Sequence, residues 1–434
     1  MFKTLVESMK MKSLRKKILI TLVLILVYRI GAWIPVPGID PTLFRSTMDG
    51  SGAADFLRLL SSLAGGALAN GAILALGVGP YITSSIVVQL LTIAIPSLQR
   101  LSKQGDEGRR KIAVITRYVA LVMALAQAIA IVVSLSVGQN IQSNLFGLPS
   151  IVVSMIVVLV LVAGSMFTVW IGDLITEHGI ANGMSMLIFV GIISTGVMAF
   201  YESILAVFQD INAISTPLIF IGLLILVFLF VVFIDLAERR IPVTYAKQIK
   251  GNKMYGGQSA NIPIKINAVG VLPIIFAFSL LNFPQLIMSI FAPDSAAYAW
   301  YAQHLGMNSW LNIVLMGLLI LGFSYFYASL AFNPDDVSRQ IQQNGGFILG
   351  FRPGPPTRDY LKRVHNRITL FGAIFLAIMA LVPALVFRAV MGDGNMLVNA
   401  FTGIAMLIIV SVALEIDKQL QAQMMMKSYK GFLK

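Results

Sequence analysis

Leu218-Ile-Phe-Ile-Gly-Leu-Leu-Ile-Leu-Val-Phe-Leu-Phe-Val-Val-Phe-Ile-Asp-Leu236 is the stretch that decides the fold class of this chain. Broken only by Gly222 and Asp235, it is long enough to cross the hydrocarbon core of a bilayer as a helix, which takes roughly 20 residues. Similar windows precede it near Ile18 to Ile34, Ile73 to Ile95, Ile112 to Val137, Ile151 to Ile171 and Met184 to Phe200. Others follow near Ala268 to Phe291, Trp310 to Phe332, Ile368 to Val390 and Met396 to Leu414. The 434 residues are 57% hydrophobic and 12% charged, too apolar for a water-soluble globule. Lipid is the main solvent. Every backbone N–H and C=O in lipid needs a partner within the protein, and apolar runs of this length choose helices over a closed barrel.

Charge tests the count of ten spans, because Lys and Arg collect on the cytoplasmic side. Six precede the first span, and six lie in each of Pro96 to Arg117, Ala237 to Lys265 and Asn333 to Arg367. Four more follow Leu414, leaving only Arg29, Arg45, Arg58 and Arg388 elsewhere. The connections near Gly138 to Ser150, Tyr201 to Thr216 and Ala292 to Ser309 have none, as expected outside. Gly172 to Gly183 is an exception, placed in the cytoplasm without a single Lys or Arg. The basic start is no signal peptide, since Ile18 to Ile34 is long, is interrupted by Arg29 and has no small-residue cleavage site after it. Both termini are therefore expected in the cytoplasm.

This divides the chain into a cytoplasmic start (1–17), a first half (18–200), an external hinge (201–216), a second half (217–414) and a cytoplasmic end (415–434). Five spans per half force the halves to enter the membrane in opposite directions. That allows an inverted repeat with a site near the midplane between the halves. A ten-helix bundle without internal symmetry fits the same count.

The loops 237–267 and 333–367 are too long to be connectors. In the first, Ile241 to Ala246 and the stretch around Lys253 to Tyr255 flank the turn dipeptide Gly251-Asn252, which suggests a protruding hairpin. In the second, Asn333-Pro-Asp-Asp336 starts a helix, Gly345-Gly346 stops it, and Thr357 is expected to cap a helix leading into the ninth span. Basic loops meet anionic lipid in any membrane protein, but topology needs no hairpin, so a docking surface for a large cytosolic partner fits better. The segment Pro35 to Gly79 is long, poor in charge and rich in small residues, with a short amphipathic helix expected over Phe56 to Ala64. It is either an interfacial packing element or a movable stopper folded back into the protein.

Chemistry is scarce inside the spans. Arg29 is the clearest intramembrane charge and firm midspan carboxylates are missing, which argues against an ion-coupled transporter. Ser84, Ser85, Gln89 and Thr92 in the second span, with Ser279, Asn282 and Gln285 in the seventh, either pack helices or form a separable seam. The chain has no cysteine, and His178, His304 and His365 sit in different loops, so no metal set or catalytic pair stands out. Gly345 to Gly350 has Walker-like spacing but continues into Phe351-Arg352. Neither enzyme nor cofactor is expected, and energy for transport must come from a partner or the membrane potential.

Several motifs resemble the SecY family, the channel subunits of the bacterial preprotein translocase. They are Tyr28-Arg-Ile-Gly31, Ile34-Pro-Val-Pro-Gly38, Gly79-Pro-Tyr-Ile82, Ser102-Lys-Gln-Gly-Asp-Glu-Gly-Arg-Arg110, Ile175-Thr-Glu-His-Gly-Ile-Ala-Asn-Gly183, Glu238-Arg-Arg-Ile-Pro242, Tyr255-Gly-Gly-Gln-Ser259, Gly270-Val-Leu-Pro273, Phe351-Arg-Pro-Gly354 and Ser428-Tyr-Lys-Gly-Phe-Leu433. The resemblance implies an all-α polytopic protein with ten transmembrane helices in two inverted five-helix halves around a central pore. By motif position, a ring of Val78, Ile82, Ile188, Ile192, Ile275 and Ile408 closes the waist. A plug over about 56–70, with Phe56, Leu63, Gly65, Gly66 and Asn70, closes it from outside. The family's lateral gate, between the second, third, seventh and eighth spans, would take Gln89, Thr92, Ser279 and Asn282 as its polar seam. Arg109, Arg110, Arg239, Arg240, Lys250 and Arg352 would dock the SecA ATPase motor and the ribosome. At the hairpin tip, Gly251-Asn-Lys253 stands where many relatives carry an Arg pair. The implied setting is the bacterial plasma membrane, with SecE and SecG subunits, preproteins bearing signal sequences, membrane lipid, and YidC and SecDF as further partners.

Overall fold

The structure is a computed structural model that describes residues 2–39, 61, 64–102, 104–137, 149–209, 215–245, 247–250, 253–256, 259–267, 270–291, 295–306, 309–391 and 403–432. The first half contains α1 (Phe2–Lys10), α2 (Lys12–Gly31), a run of turns over 64–78, α3 (Gly79–Ala94), α4 (Pro96–Ser102), α5 (Gly105–Val137), α6 (Ser150–His178) and α7 (Gly183–Gln209). The second begins with α8 (Ser215–Asp235) and the strands β1 (Glu238–Tyr245), β2 (Lys247–Lys250), β3 (Lys253–Gly256) and β4 (Ser259–Lys265). It continues with α9 (Leu272–Phe291), α10 (Ala296–Leu305), α11 (Trp310–Ala331), α12 (Pro334–Gln343), β5 (Gly346–Phe347), α13 (Pro355–Met391) and α14 (Gly403–Phe432).

Every one of the ten apolar windows carries a helix, with adjusted ends. Six of the described helices are long and apolar enough to cross a membrane, or seven if α3 and α4, bent by 105°, count as one span. The second window is helical only from Gly79, because Ala72 to Val78 form tight turns instead. Gly71 and Gly77 hold φ of 57° and 51° there, a left-handed conformation that interrupts helix. At the other end Ile95 is extended at φ −104° and ψ 114°, as the residue before Pro96 must be.

Within the first half α3 packs on α5, α5 on α6, and α6 on both α7 and α2. In the second, α9, α11 and α13 pack in a row and α14 closes against α8 and α13. The halves meet along α7 and α14 on one side and along α3, α5 and α9 on the other. Backbone approach is very close in places. A Cβ at Gly164 of α6 would stand 2.0 Å from the Ile73 carbonyl oxygen, and Ser165 donates to the Gly77 carbonyl at 3.2 Å.

The lack of Lys and Arg at the turn that closes Gly172 to Gly183 has a packing explanation. Helix α6 runs on to His178, and the turn after it tucks Ile180 and Ala181 against Leu14 of α2 and Leu420 of α14. The Ile180 amide donates to Thr21 Oγ1 at 3.2 Å. A Lys or Arg in place of Ile180 or Ala181 would be buried without a partner, which costs far more than any topological benefit.

The hairpin in loop 237–267 exists, with different pairing from the one read in sequence. Strand β1 pairs with β4, Ile241 opposite Ile262, while the shorter β2 and β3 pair around the tip. Loop 333–367 adds β5 to the same sheet, in the order β4-β1-β5, with Tyr245 opposite Gly346. Ile241, Val243, Ile264, Ile341, Ile348 and Leu361 form a shared core, so the two loops make one small domain. Asn333 caps α12 as expected, its side chain accepting from the Asp335 amide at 3.1 Å. Thr357 does not cap. It lies inside the first turn of α13, and its hydroxyl donates back to the Arg352 carbonyl at 2.8 Å.

Candidate functional site

The centre of the molecule, between the two halves, is aliphatic. Val78 and Ile82 are four residues apart at the start of α3, as are Ile188 and Ile192 on α7, so each pair shares a helix face. Together with Ile408 of α14 they lie in one cluster with Tyr28, Leu74 and Leu187. Ile275 of α9 is not brought into that cluster. It packs instead beside Ile86, Phe276 and Tyr327, a neighbouring group that Ile82 also touches. The Val and Ile side chains offer no hydrogen bonds, so what they present is a deformable apolar surface with nothing to bind a specific polar solute.

The turns over 64–78 fold back into this centre. Ala64, Ala67, Leu68, Ala72 and Leu74 are all buried, unlike an interfacial element. Tyr28 donates its hydroxyl to the Ala64 carbonyl at 3.3 Å, and Arg29 Nη1 donates to the Gly65 carbonyl at 3.0 Å. Gly65 has φ +70°, and a Cβ there would meet Arg29 Nη1 at 2.5 Å and Gly191 Cα at 3.0 Å. Only glycine fits such a place. Gly66 faces Thr195 of α7 across ordinary contact distance, and the Asn70 amide donates to the Gly66 carbonyl at 3.1 Å. The glycine-rich turn therefore abuts α7 at Gly191, the residue before Ile192. Phe56 and Leu63 lie outside the described residues.

A polar contact crosses the seam between the halves. The Tyr327 hydroxyl of α11 donates to Gln89 Oε1 of α3 at 3.2 Å, and its ring lies on Phe276 of α9 with centroids 4.7 Å apart. Of the residues expected from sequence to form a polar seam, Gln89 makes this contact. Thr92 spends its hydroxyl on its own helix, donating to the Val88 carbonyl at 2.7 Å. Ser279 is half-buried on α9, and the Asn282 side chain lies outside the described residues. Tyr327 and Phe276 were not singled out in sequence. The available signal was the polar run Ser324-Tyr-Phe-Tyr327 inside an otherwise aliphatic window.

Arg109 and Arg110 stand exposed in the first turns of α5, Arg239 and Arg240 on β1, and Arg352 on the turn before α13. Arg240 is held by Glu238 at 2.8 Å. Lys250 ends β2, with its side chain outside the described residues. Behind this basic surface, burial pushes the Lys418 ammonium below its ordinary pKa. The nearby Lys265 charge adds to that shift, and Asp235 and Glu238 oppose it. No group of three or more potential metal ligands occurs among the described residues.

The SecY family profile matches residues 72–416. The protein translocase subunit SecY of Mycobacterium bovis is 40% identical over 448 residues, covering all of both chains. Among solved structures, a protein-conducting channel aligns with a TM-score of 0.62 at 21% identity, over 94% of this chain and 92% of that one. A SecY protein whose plug domain stabilises the closed state of the translocation channel and maintains a membrane seal aligns at 0.61 and 19% identity, with the same coverage. Canine Sec61 in a ribosome-channel complex from the endoplasmic reticulum aligns at 0.59 and 19%, again over 94% and 92%.

Proposed function

This chain belongs to the SecY family of protein translocase channel subunits, and from that membership we propose how its pore is shut, opened and served by partners. The aliphatic cluster of Val78, Ile82, Ile188, Ile192 and Ile408, with Ile275 joining when the halves shift, is the constriction. A pore for many different polypeptides cannot use specific hydrogen bonds, and an empty greasy ring resists ions by dewetting. The segment around Gly65 is the plug. The seam of α3, α9 and α11 is the lateral gate, through which a signal sequence intercalates and a membrane segment leaves for lipid.

The observation that carries this reading is the placement of Gly65, held by Arg29 against α7 one residue from Ile192. A buried glycine-rich turn at that point has no role in a plain helix bundle. The plug domain of the SecY neighbour supports it. The joint domain of loops 237–267 and 333–367, with Arg109, Arg110, Arg239, Arg240, Lys250 and Arg352, docks the ribosome and the SecA motor. The ribosome-bound canine neighbour supports the first of these. The bacterial origin of the SecY relatives supports a plasma-membrane location. SecE and SecG as subunits, both termini in the cytoplasm and ten spans divided after α7, which runs on to Gln209 through the first part of the 201–216 connection, complete the reading.

Translocation into proteoliposomes tests the proposal. The chain with its small subunits, SecA and ATP is expected to place a signal-bearing preprotein where added protease cannot reach it. An assembled complex that protects no preprotein would refute it.

A further inference from the structure

A small cavity, open on one side, lies where loop 237–267 returns to the helices. It is lined by Lys265 and Asn267 after β4, Ser324 and Ala328 of α11, and His365 and Thr369 of α13. Asn267 and His365 are only 7% and 5% exposed. His365 Nε2 lies 3.1 Å from the Ala328 carbonyl oxygen, and a carbonyl only accepts, so Nε2 carries the proton. In the neutral ring Nδ1 is then a bare acceptor. Asn267 Nδ2 donates to Asp235 Oδ1 at 3.0 Å, which fixes the amide orientation and leaves Oδ1 as a second acceptor.

Both His365 Nδ1 and Asn267 Oδ1 are buried, and neither has a protein partner. Two acceptors cannot satisfy one another. What satisfies both is a small species with two donors, and the cavity that both side chains line has room for about one water. We propose that this is a water site, in which one water donates a hydrogen to Asn267 Oδ1 and the other to His365 Nδ1. Lys265 lines the same cavity, but it is exposed and its ammonium stands beside Lys418, and sinking it between two neutral acceptors would strip its hydration.

The site joins the root of loop 237–267 to α13, and through His365 to the Ala328 carbonyl of α11. Ala328 follows Tyr327, whose hydroxyl reaches Gln89 across the seam. The water is therefore a link by which force on the docking loops reaches the gate helix. That consequence rests on the gate reading above; the water site itself does not.

The chain has only three histidines, so ¹⁵N-histidine labelling of the assembled channel complex in lipid bilayers resolves His365 by solid-state NMR, with His178→Gln and His304→Gln assigning the others. The expected result is the Nε2–H tautomer, with an unprotonated Nδ1 signal that grows by magnetisation transfer from water protons. Asn267→Leu is expected to abolish that transfer and Lys265→Met to leave it intact. A protonated Nδ1, a dry Nδ1 in the parent protein, persistence in Asn267→Leu or loss in Lys265→Met would each overturn the site. Preprotein translocation by the unlabelled parent complex is scored separately, so failure of the water site and failure of the channel reading remain distinguishable.

Discussion

Arg29 Nη1 donates a 3.0 Å hydrogen bond to the Gly65 carbonyl oxygen, tying the first long helix to the turn that fills the centre of the molecule. An intramembrane arginine is expensive and needs a partner. Here the partner is a backbone group of the turn proposed as the plug, and in that proposal the bond is made when the turn is seated and lost when it leaves.

Removing that bond should therefore unseat the plug. A charge-assisted hydrogen bond contributes about 1.5–3 kcal/mol, and for the half-buried Arg29 the lower end applies. Arg29→Met is expected to raise the open population of the resting channel roughly tenfold. Gly65→Ala acts in the same direction by strain, since its Cβ would sit 2.5 Å from Arg29 Nη1. Ion conductance of the resting complex in planar bilayers reads both. Two variants as tight as the parent would show that this contact does not hold the seal.

The bond from Tyr327 to Gln89 is neutral and half-buried, worth about 0.5–1.5 kcal/mol. Tyr327→Phe removes it while keeping the ring on Phe276. Export of a preprotein with a weakened signal sequence should rise a few-fold, on the order of the 2- to 10-fold that such an energy allows. Export that stays flat, or falls, would mean the seam is elsewhere.

Packing gives a prediction independent of gating. At Gly164 a Cβ would clash with backbone at 2.0 Å, whereas at Gly222 of α8 nothing lies within 4 Å. Gly164→Ala should destabilise the detergent-solubilised protein by more than about 3 kcal/mol, or prevent its accumulation. Gly222→Ala should leave its melting temperature unchanged or slightly raised. Equal behaviour of the two would contradict the close approach of α6 to the 64–78 turns.

Joining the two basic loops in one sheet predicts an effect from an uncharged residue. A Cβ at Gly346 would meet the Tyr245 ring at 2.8 Å, so Gly346→Val should push β5 off β1. Binding of SecA to proteoliposomes should weaken by a factor comparable to that of Arg352→Glu. Unchanged binding in Gly346→Val with loss in Arg352→Glu would show that the loops act separately.

Some of this was legible in the sequence because it rests on local rules. The ten windows follow from apolar run length, the α12 cap from Asn333, and the hairpin from Gly251-Asn252 between apolar runs. What was hidden depends on distant partners. Strand β5 has two residues and exists only because Tyr245 and Thr244 accept it, so no propensity marks it. Arg29 was conspicuous, but its partner Gly65 lies 36 residues away and is recognised by backbone conformation. Ile275 has the same side chain as Ile192, and only the packing of α9 separates it from the central cluster. Thr92 looked like Gln89 in sequence, yet a hydroxyl in a helix readily bonds its own preceding turn, and this one does.

Polypeptide that passes between the halves through the proposed aliphatic constriction must come against Ile82 and Ile192. The chain lacks cysteine, so single cysteines at Ile82, Ile192 and, on the exposed face of α8, Phe233 can be paired with one cysteine in a preprotein stalled during translocation. Disulfide formation is expected at positions 82 and 192 and not at 233. Cross-links at 233 with none at 82 and 192 would mean that the polypeptide takes another path.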